Sequence, residues 1–490
     1  MTDPSVLATD AYKFSMAQAG FPLRRETFYL SFRFGGFHYV PFDLAERTRR
    51  LAAALRPTAE DRAFAREHGY GLTDAMEAAF AQAGELEIKA VPAGSWVYER
   101  EPILTVTGPS FLVSWLEPML LWLNYPIQLA TALKQPGPRP EGLLHATCAE
   151  HAAIIEAVAE AIGMAGRVKP VREDEAYREG VRARARALVQ AVSGDGSRIF
   201  EVGMRSAVCM EQHRIALQAC QQEGITLTSH VQLARELGMT PVGTMGHEHV
   251  QRWGADLPAF RAMRDMRVTA PSYLLDTFDT MGVGIKAAVQ VMREHPHACA
   301  IRYDSGNKYI QYLHASELLR ESGLQPAHVL EDSLDEVATA HFERLREFTG
   351  WPAARQIYGF GGFLVARPMS TPLTRDRVSA VFKLSETAGE PRMKFGNEAS
   401  AGKRSVPGRP VVWRRLRGDG PLGVIGQAGE PVREDYVDLS SNPEALERLR
   451  LCNVADLQRA MAIPQDERFV ELSPATRALV ERLTPAGEAG

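Results

Sequence analysis

Eight short strand-like runs between Arg198 and Lys383 predict an α/β fold. The expected form is an irregular, TIM-like α/β barrel, with a second α/β domain formed from the N- and C-terminal segments. Two observations support a barrel over an open sheet: helical stretches separate most of the runs, and no long break in composition splits the series into halves. A third bears on chemistry. Several runs end in Arg, Asp, His or clustered Gly, at the strand ends where α/β enzymes keep their reacting groups.

In order, the barrel series reads as strand 198–202, helix 207–223, strand 225–228, helix 229–237, and strands 240–244 and 273–276. Helix 281–294 follows, then strands 298–303 and 327–330, helix 334–348, and strands 355–358 and 379–384. The first two helices end at Gly224 and Gly238. Ser229 with Gln232 forms a capping-box pattern, and Gly238 stands where a left-handed residue closes a helix. Before this series, residues 1–134 mix helical and strand patterns, with strands in 85–108 around the turn Val91-Pro92-Ala93-Gly94. Residues 135–190 read as a linker, insertion and helical region. Pro136, Pro138 and Pro140 exclude a helix or central strand there, and the charged stretch 167–186 suits a solvated helix with i,i+4 charge pairs. Residues 191–385 hold the barrel and the site, and 386–490 pack on the N-terminal domain.

Composition narrows the function. A chain of 490 residues, 45% hydrophobic and 24% charged, buries a sizeable core. A net charge of -4 argues against nucleic-acid binding through bulk charge. The most apolar stretch, 111–133, is interrupted by Glu117, Pro118, Asn124, Pro126 and Gln128, too often for a membrane span. Five widely spaced cysteines (Cys148, Cys209, Cys220, Cys299 and Cys452) and no secretory pattern suit a reducing cytoplasm without a zinc site.

His247 follows a strand in a glycine-rich segment from Gly243 to His249, with Glu248 beside it. Such glycines allow a ligand close approach, and a carboxylate-held imidazole can serve as base, acid or phosphoryl acceptor. His247, Glu248 and His249 also invite a metal reading, but adjacent loop residues rarely converge on one ion. Arg302, Asp304, Ser305 and Gly306 join a cation suited to phosphate with an anion suited to ribose hydroxyls or a magnesium-bound pyrophosphate; a turn capping the next helix is the rival. Gly361 and Gly362, in Gly359 to Gly362, offer bare amides for phosphate. Asp276 and Asp279 suit a pair of carboxylates facing one site, with a helix cap as the rival for Asp279. Gly282, Gly284 and Ala287 imitate a dinucleotide fingerprint, but they come too far past their strand.

Taken together, Thr9 to Met16, Glu201 to Arg205, Gly243 to Glu248, Leu274 to Asp279, Arg302 to Gly306, Val381 to Glu386 and Pro407 to Arg409 resemble nicotinate phosphoribosyltransferase, in order over nearly the whole chain. The resemblance implies a type II phosphoribosyltransferase and a homodimer with a shared active site. It implies that nicotinate and 5-phosphoribosyl diphosphate give nicotinate mononucleotide and pyrophosphate, with Mg2+ and with ATP hydrolysed through a phosphohistidine. His247 takes that position, with Asp304 and Glu248 as its catalytic companions. Tyr12 of the partner subunit stacks on the pyridine, and Arg205 engages the nicotinate carboxylate or the ribosyl phosphate. Arg302 and Asp304 hold ribose and phosphates, Gly361 and Gly362 the 5-phosphate, and Thr244, Asp276, Asp279, Ser305 and Gly306 complete the substrate set.

The chain departs from the family pattern at Val202, usually phenylalanine, and at Ser206, usually a second arginine. Nicotinamide as the base, or a nucleotide-sensing relative without turnover, are the alternatives these departures raise.

Overall fold

The computed structural model describes residues 4–135, 137–266, 270–394, 404–417, 420–440 and 470–484. Its centre is a seven-stranded parallel sheet curled into a half barrel. From edge to edge the strands are Thr240–Pro241, Leu227–Thr228, Ile199–Glu201, Gln356–Phe360, Ala327–Leu330, Ala300–Tyr303 and Ser272–Leu274. All six pairings are parallel. Ile199, Ile301, Leu330 and Tyr358 are fully buried, as expected of strands covered on both faces by helices. The helix Ile285–Glu294 shows why its stretch is helical: Ile285, Ala288, Val291 and Met292 make one apolar stripe on the core.

The eighth expected strand is elsewhere. Ala380–Thr387 leaves the parallel sheet and pairs antiparallel with Arg25–Phe32, in a five-stranded sheet that also holds Leu104–Pro109, Glu87–Ala90 and Glu390–Pro391. Leu30 lies opposite Phe382, and the Phe28 and Phe382 rings stack at 5.4 Å. The expected turn at residues 91–94 is present. Ser95 N–H donates to Pro92 O at 3.2 Å, and Gly94 adopts φ +89°.

Local punctuation agrees in part. Gly238 closes the helix Val231–Leu237 at φ 65°, but the capping box does not form. Ser229 Oγ instead donates to Asp10 Oδ1 at 2.5 Å, and Gln232 donates to Glu236. The charged helix, Asp174–Ala191, carries i,i+3 rather than i,i+4 pairs, such as Glu179 with Arg182, and buries Tyr177, Val181, Ala185 and Leu188. Pro136 and Cys452 lie outside the described residues.

After residue 408 the chain forms a four-stranded sheet (Tyr436–Asp438, Pro410–Arg415, Gly423–Gln427 and Val470–Leu472) and the helix Pro474–Leu483. It docks on the N-terminal strands: buried Arg414 pairs with Glu101 at 2.7 Å, and Thr105 Oγ1 donates to Pro410 O at 2.7 Å. Among the described residues no helix is long and apolar enough to cross a membrane.

Candidate active site

The ends of the parallel strands face the antiparallel sheet across a cavity of about 480 Å3. Nine residues singled out from the sequence line it: Tyr12, Arg205, Thr244, His247, Glu248, Arg302, Asp304, Gly361 and Gly362. Asp276, Asp279, Ser305 and Gly306 do not appear on its wall.

His247 opens the helix His247–Trp253. Its Nδ1 lies 3.2 Å from Thr277 Oγ1, while Nε2 lies 3.3 Å from Asp304 Oδ2, 3.0 Å from Lys394 Nζ and 3.9 Å from Asp276 Oδ2. Burial, followed by the Lys394 charge, pushes its pKa below the usual histidine value, against Asp276 and Asp304. The ring is therefore neutral at pH 7. Asp304 stays ionised because Arg302 and His247 outweigh the burial that opposes its charge.

Arg302 is almost fully engaged by protein. Nη1 donates to Thr244 Oγ1 at 3.0 Å and Met245 O at 2.6 Å, and Nη2 meets Asp304 at 2.5 Å and Glu331 at 3.1 Å. Its geometry fixes Asp304 and leaves few donors for a ligand phosphate. Glu248 is likewise occupied. Oε1 accepts from buried Lys13 at 3.1 Å and Ser114 at 2.5 Å, so Asp304, not Glu248, is the carboxylate on His247.

Arg205, also on the cavity wall, makes no hydrogen bond to the described residues. It lies 3.8 Å from Asp10 Oδ2 and 3.7 Å from Glu117 Oε1, with its guanidinium 5.9 Å from the Tyr12 ring centroid. Tyr12 of this chain lines this cavity. The reason lies in two glycines: a Cβ on Gly243 would collide with the Tyr12 backbone, and one on Gly246 would sit 3.2 Å from the Tyr12 ring and Met16 Sδ. They admit the helix Ala11–Gln18, where the sequence suggested a ligand.

Other residues take their rival roles. Asp279 is exposed and accepts from Met281 and Gly282 N–H, which makes it a cap. Asp276 accepts the Ser305 hydroxyl and lies behind His247, while Gly306 turns at φ 79° and Asn307 caps the helix Lys308–Glu321. His249 is buried on Ala259 O and does not join a metal cluster with its neighbours. Among the described residues, the group that does converge is His247, Asp276 and Asp304, whose ligand atoms lie within 4.8 Å of one another.

Sequence reasoning gave no role to Arg33, Glu117, Glu331, Arg375, Lys383 or Lys394, all on the cavity wall. Lys383 is the sharpest of these. Burial pushes its pKa down to about 7 against the pull of Glu117, and its ammonium has no hydrogen bond or ion pair among the described residues. Its place inside the motif from Val381 to Glu386 was the available signal.

No protein-family model matches the chain. It is 26% identical over 259 residues to the nicotinate phosphoribosyltransferase of Bacillus subtilis, covering 52% of this chain and 48% of that protein. The chain thus spans about half the length of the curated relatives it matches. Among solved structures, the nicotinate phosphoribosyltransferase of Porphyromonas gingivalis superposes with a TM-score of 0.56 at 20% identity, covering 82% of this chain and 95% of that one. The one from Vibrio cholerae gives 0.56 at 18%, covering 82% and 90%. The resemblance read from the motifs is borne out by relatives and structures that carry that name, and the α/β architecture is shared.

Proposed function

We propose that this chain joins nicotinate to the phosphoribosyl group of 5-phosphoribosyl diphosphate, releasing pyrophosphate in NAD salvage, with ATP hydrolysis coupled through phosphorylation of His247. The observation that carries the reading is one cavity lined both by a neutral histidine on Asp304 and by an aromatic ring beside a guanidinium that makes no hydrogen bond to the described residues. The names of the relatives support it.

Displacement at an anomeric carbon passes through an oxocarbenium-like state and sheds a polyanion. The base would lie on Tyr12 with its side group toward Arg205. Arg33, Arg375, Lys383 and Lys394 line the wall where leaving pyrophosphate needs neutralising, and an arriving anion would return the Lys383 proton by raising its pKa. The amides of Gly361 and Gly362 suit the 5-phosphate. His247, neutral and on the cavity wall, meets the requirement for accepting a phosphoryl group from ATP. Asp276 and Asp304 suit Mg2+, whose preference is for oxygen; Asp276 Oδ1 is buried without a hydrogen-bond partner among the described residues. Bound there, the ion would offset charge on the diphosphate.

The test is product formation from 5-phosphoribosyl diphosphate and Mg2+ with nicotinate or nicotinamide, with and without ATP. The expected outcome is nicotinate turnover stimulated by ATP, with the stimulation gone in His247→Ala. Stimulation retained in that variant would remove His247 from the ATP step, and no turnover of either base would leave a nucleotide-binding protein.

A further inference from the structure

Glu117 sits on the helix Glu117–Leu121, on the cavity wall beside Tyr12 and Arg205. Its two oxygens differ. Oε2 accepts from Lys13 Nζ at 2.5 Å and from the Tyr12 hydroxyl at 3.4 Å. Oε1 accepts no hydrogen bond from the described residues and faces Arg205 Nη1 at 3.7 Å. Burial alone would favour a neutral carboxyl, but Lys13, then Arg205 and Lys383, keep Glu117 ionised. The cavity wall here therefore presents one acceptor and one set of donors, neither hydrogen-bonded among the described residues, side by side. A carboxamide matches that pair: its carbonyl accepts from the guanidinium and its NH2 donates to Oε1. A carboxylate does not match it, since one of its oxygens would face a charged oxygen.

We propose that Glu117 is a specificity-determining residue that reads the side group of the pyridine base, accepting a hydrogen bond from a carboxamide and repelling a carboxylate. This rests on the reading above that the base lies against Tyr12 and Arg205. Nicotinate is then bound through Arg205 in spite of Glu117, and the preference between the two bases is set by the opposition of these two side chains. Ser206, which carries no charge, adds nothing to the guanidinium side.

The experiment is kcat/KM for nicotinate and nicotinamide in the full chain and in Glu117→Gln and Glu117→Asp. In Glu117→Gln the nicotinate-to-nicotinamide ratio is expected to rise about tenfold, the order set by one hydrogen bond to a charged group. The change should appear in the two KM values, moving in opposite directions, with each kcat little altered. General loosening of the wall would lower both kcat values together and leave the ratio alone. Glu117→Asp keeps a charge near Lys13 while withdrawing it from the cavity, so a smaller rise is expected, and it decides the matter if the Gln variant does not fold. An unchanged or falling ratio overturns the proposal. Equilibrium binding of nicotinate mononucleotide and nicotinamide mononucleotide reads the same ratio without turnover. A shift there in a protein that turns over neither base would keep Glu117 and discard the catalytic reading.

Discussion

Arg205 and Arg302 stand on the wall of one cavity and use their guanidinium groups in opposite ways. Arg302 spends its terminal donors on Thr244, Met245, Asp304 and Glu331. Arg205 makes no hydrogen bond among the described residues, although two carboxylates lie within 4 Å of it. Both are charged, since nearby carboxylates outweigh the burial that opposes charge on Arg302 and since Tyr12, Glu117 and Asp10 act in the same direction on Arg205. The difference is therefore one of satisfied geometry, and it separates an arginine that holds other residues in place from one that is left to hold a ligand.

The largest effect should come from breaking the engaged arginine. Arg302→Met strands Asp304 and Glu331 without their cation and is expected to destabilise the fold by about 3–5 kcal/mol, the range for breaking a buried pair. Chemical denaturation measures it. A midpoint equal to that of the parent would mean that Arg302 is not holding the site together. Arg205→Gln should do the reverse, staying within about 1 kcal/mol of the parent in stability because no hydrogen bond is lost. Its kcat/KM for the base should fall about 10- to 100-fold, as for the loss of one charge-assisted hydrogen bond. If instead Arg205→Gln unfolded early while its turnover held, the roles of the two arginines would be exchanged.

How far the sequence could reveal this contrast depended on what each residue touches. Strand positions were legible because a buried strand must be an apolar run, and five of the eight expected runs closely match strands of the parallel sheet. Three fared less well. Residues 225–228 and 240–244 shrink to Leu227–Thr228 and Thr240–Pro241, and 379–384 joins another sheet, because an apolar run does not encode direction or partner, and Ala380 pairs with Phe32 nearly 350 positions away. Gly243 and Gly246 were rightly marked as sites of close approach, but a glycine does not say what approaches. Apart from Lys383, which lies inside the motif from Val381 to Glu386, the residues missed altogether are those with no motif around them. Glu117 counted in the sequence only as an interruption of the apolar stretch 111–133, and the same burial that made it look misplaced holds it against Lys13, Tyr12 and Arg205. Arg302, Asp304 and His247 were found because strand ends concentrate chemistry. That Arg302 serves Asp304 could be seen only once Thr244 and Glu331 stood beside it.

The smallest expected effect concerns His247. The neutral ring of His247 faces Thr277 on Nδ1, and Asp304, Asp276 and Lys394 around Nε2. Burial and Lys394 depress its pKa, whereas the two aspartates raise it. Protonation destroys the lone pair that phosphoryl transfer needs, so ATP-stimulated turnover should fail on the acidic side, at a pH below about 6.5, where an unperturbed histidine titrates. Lys394→Met removes a depressing charge and leaves both aspartates. The acidic limb of the pH profile should then move upward. The pH dependence of ATP hydrolysis coupled to product formation gives both limbs directly. A limb that moved downward would mean that Lys394 supports the protonated ring, in conflict with its 3.0 Å approach to Nε2.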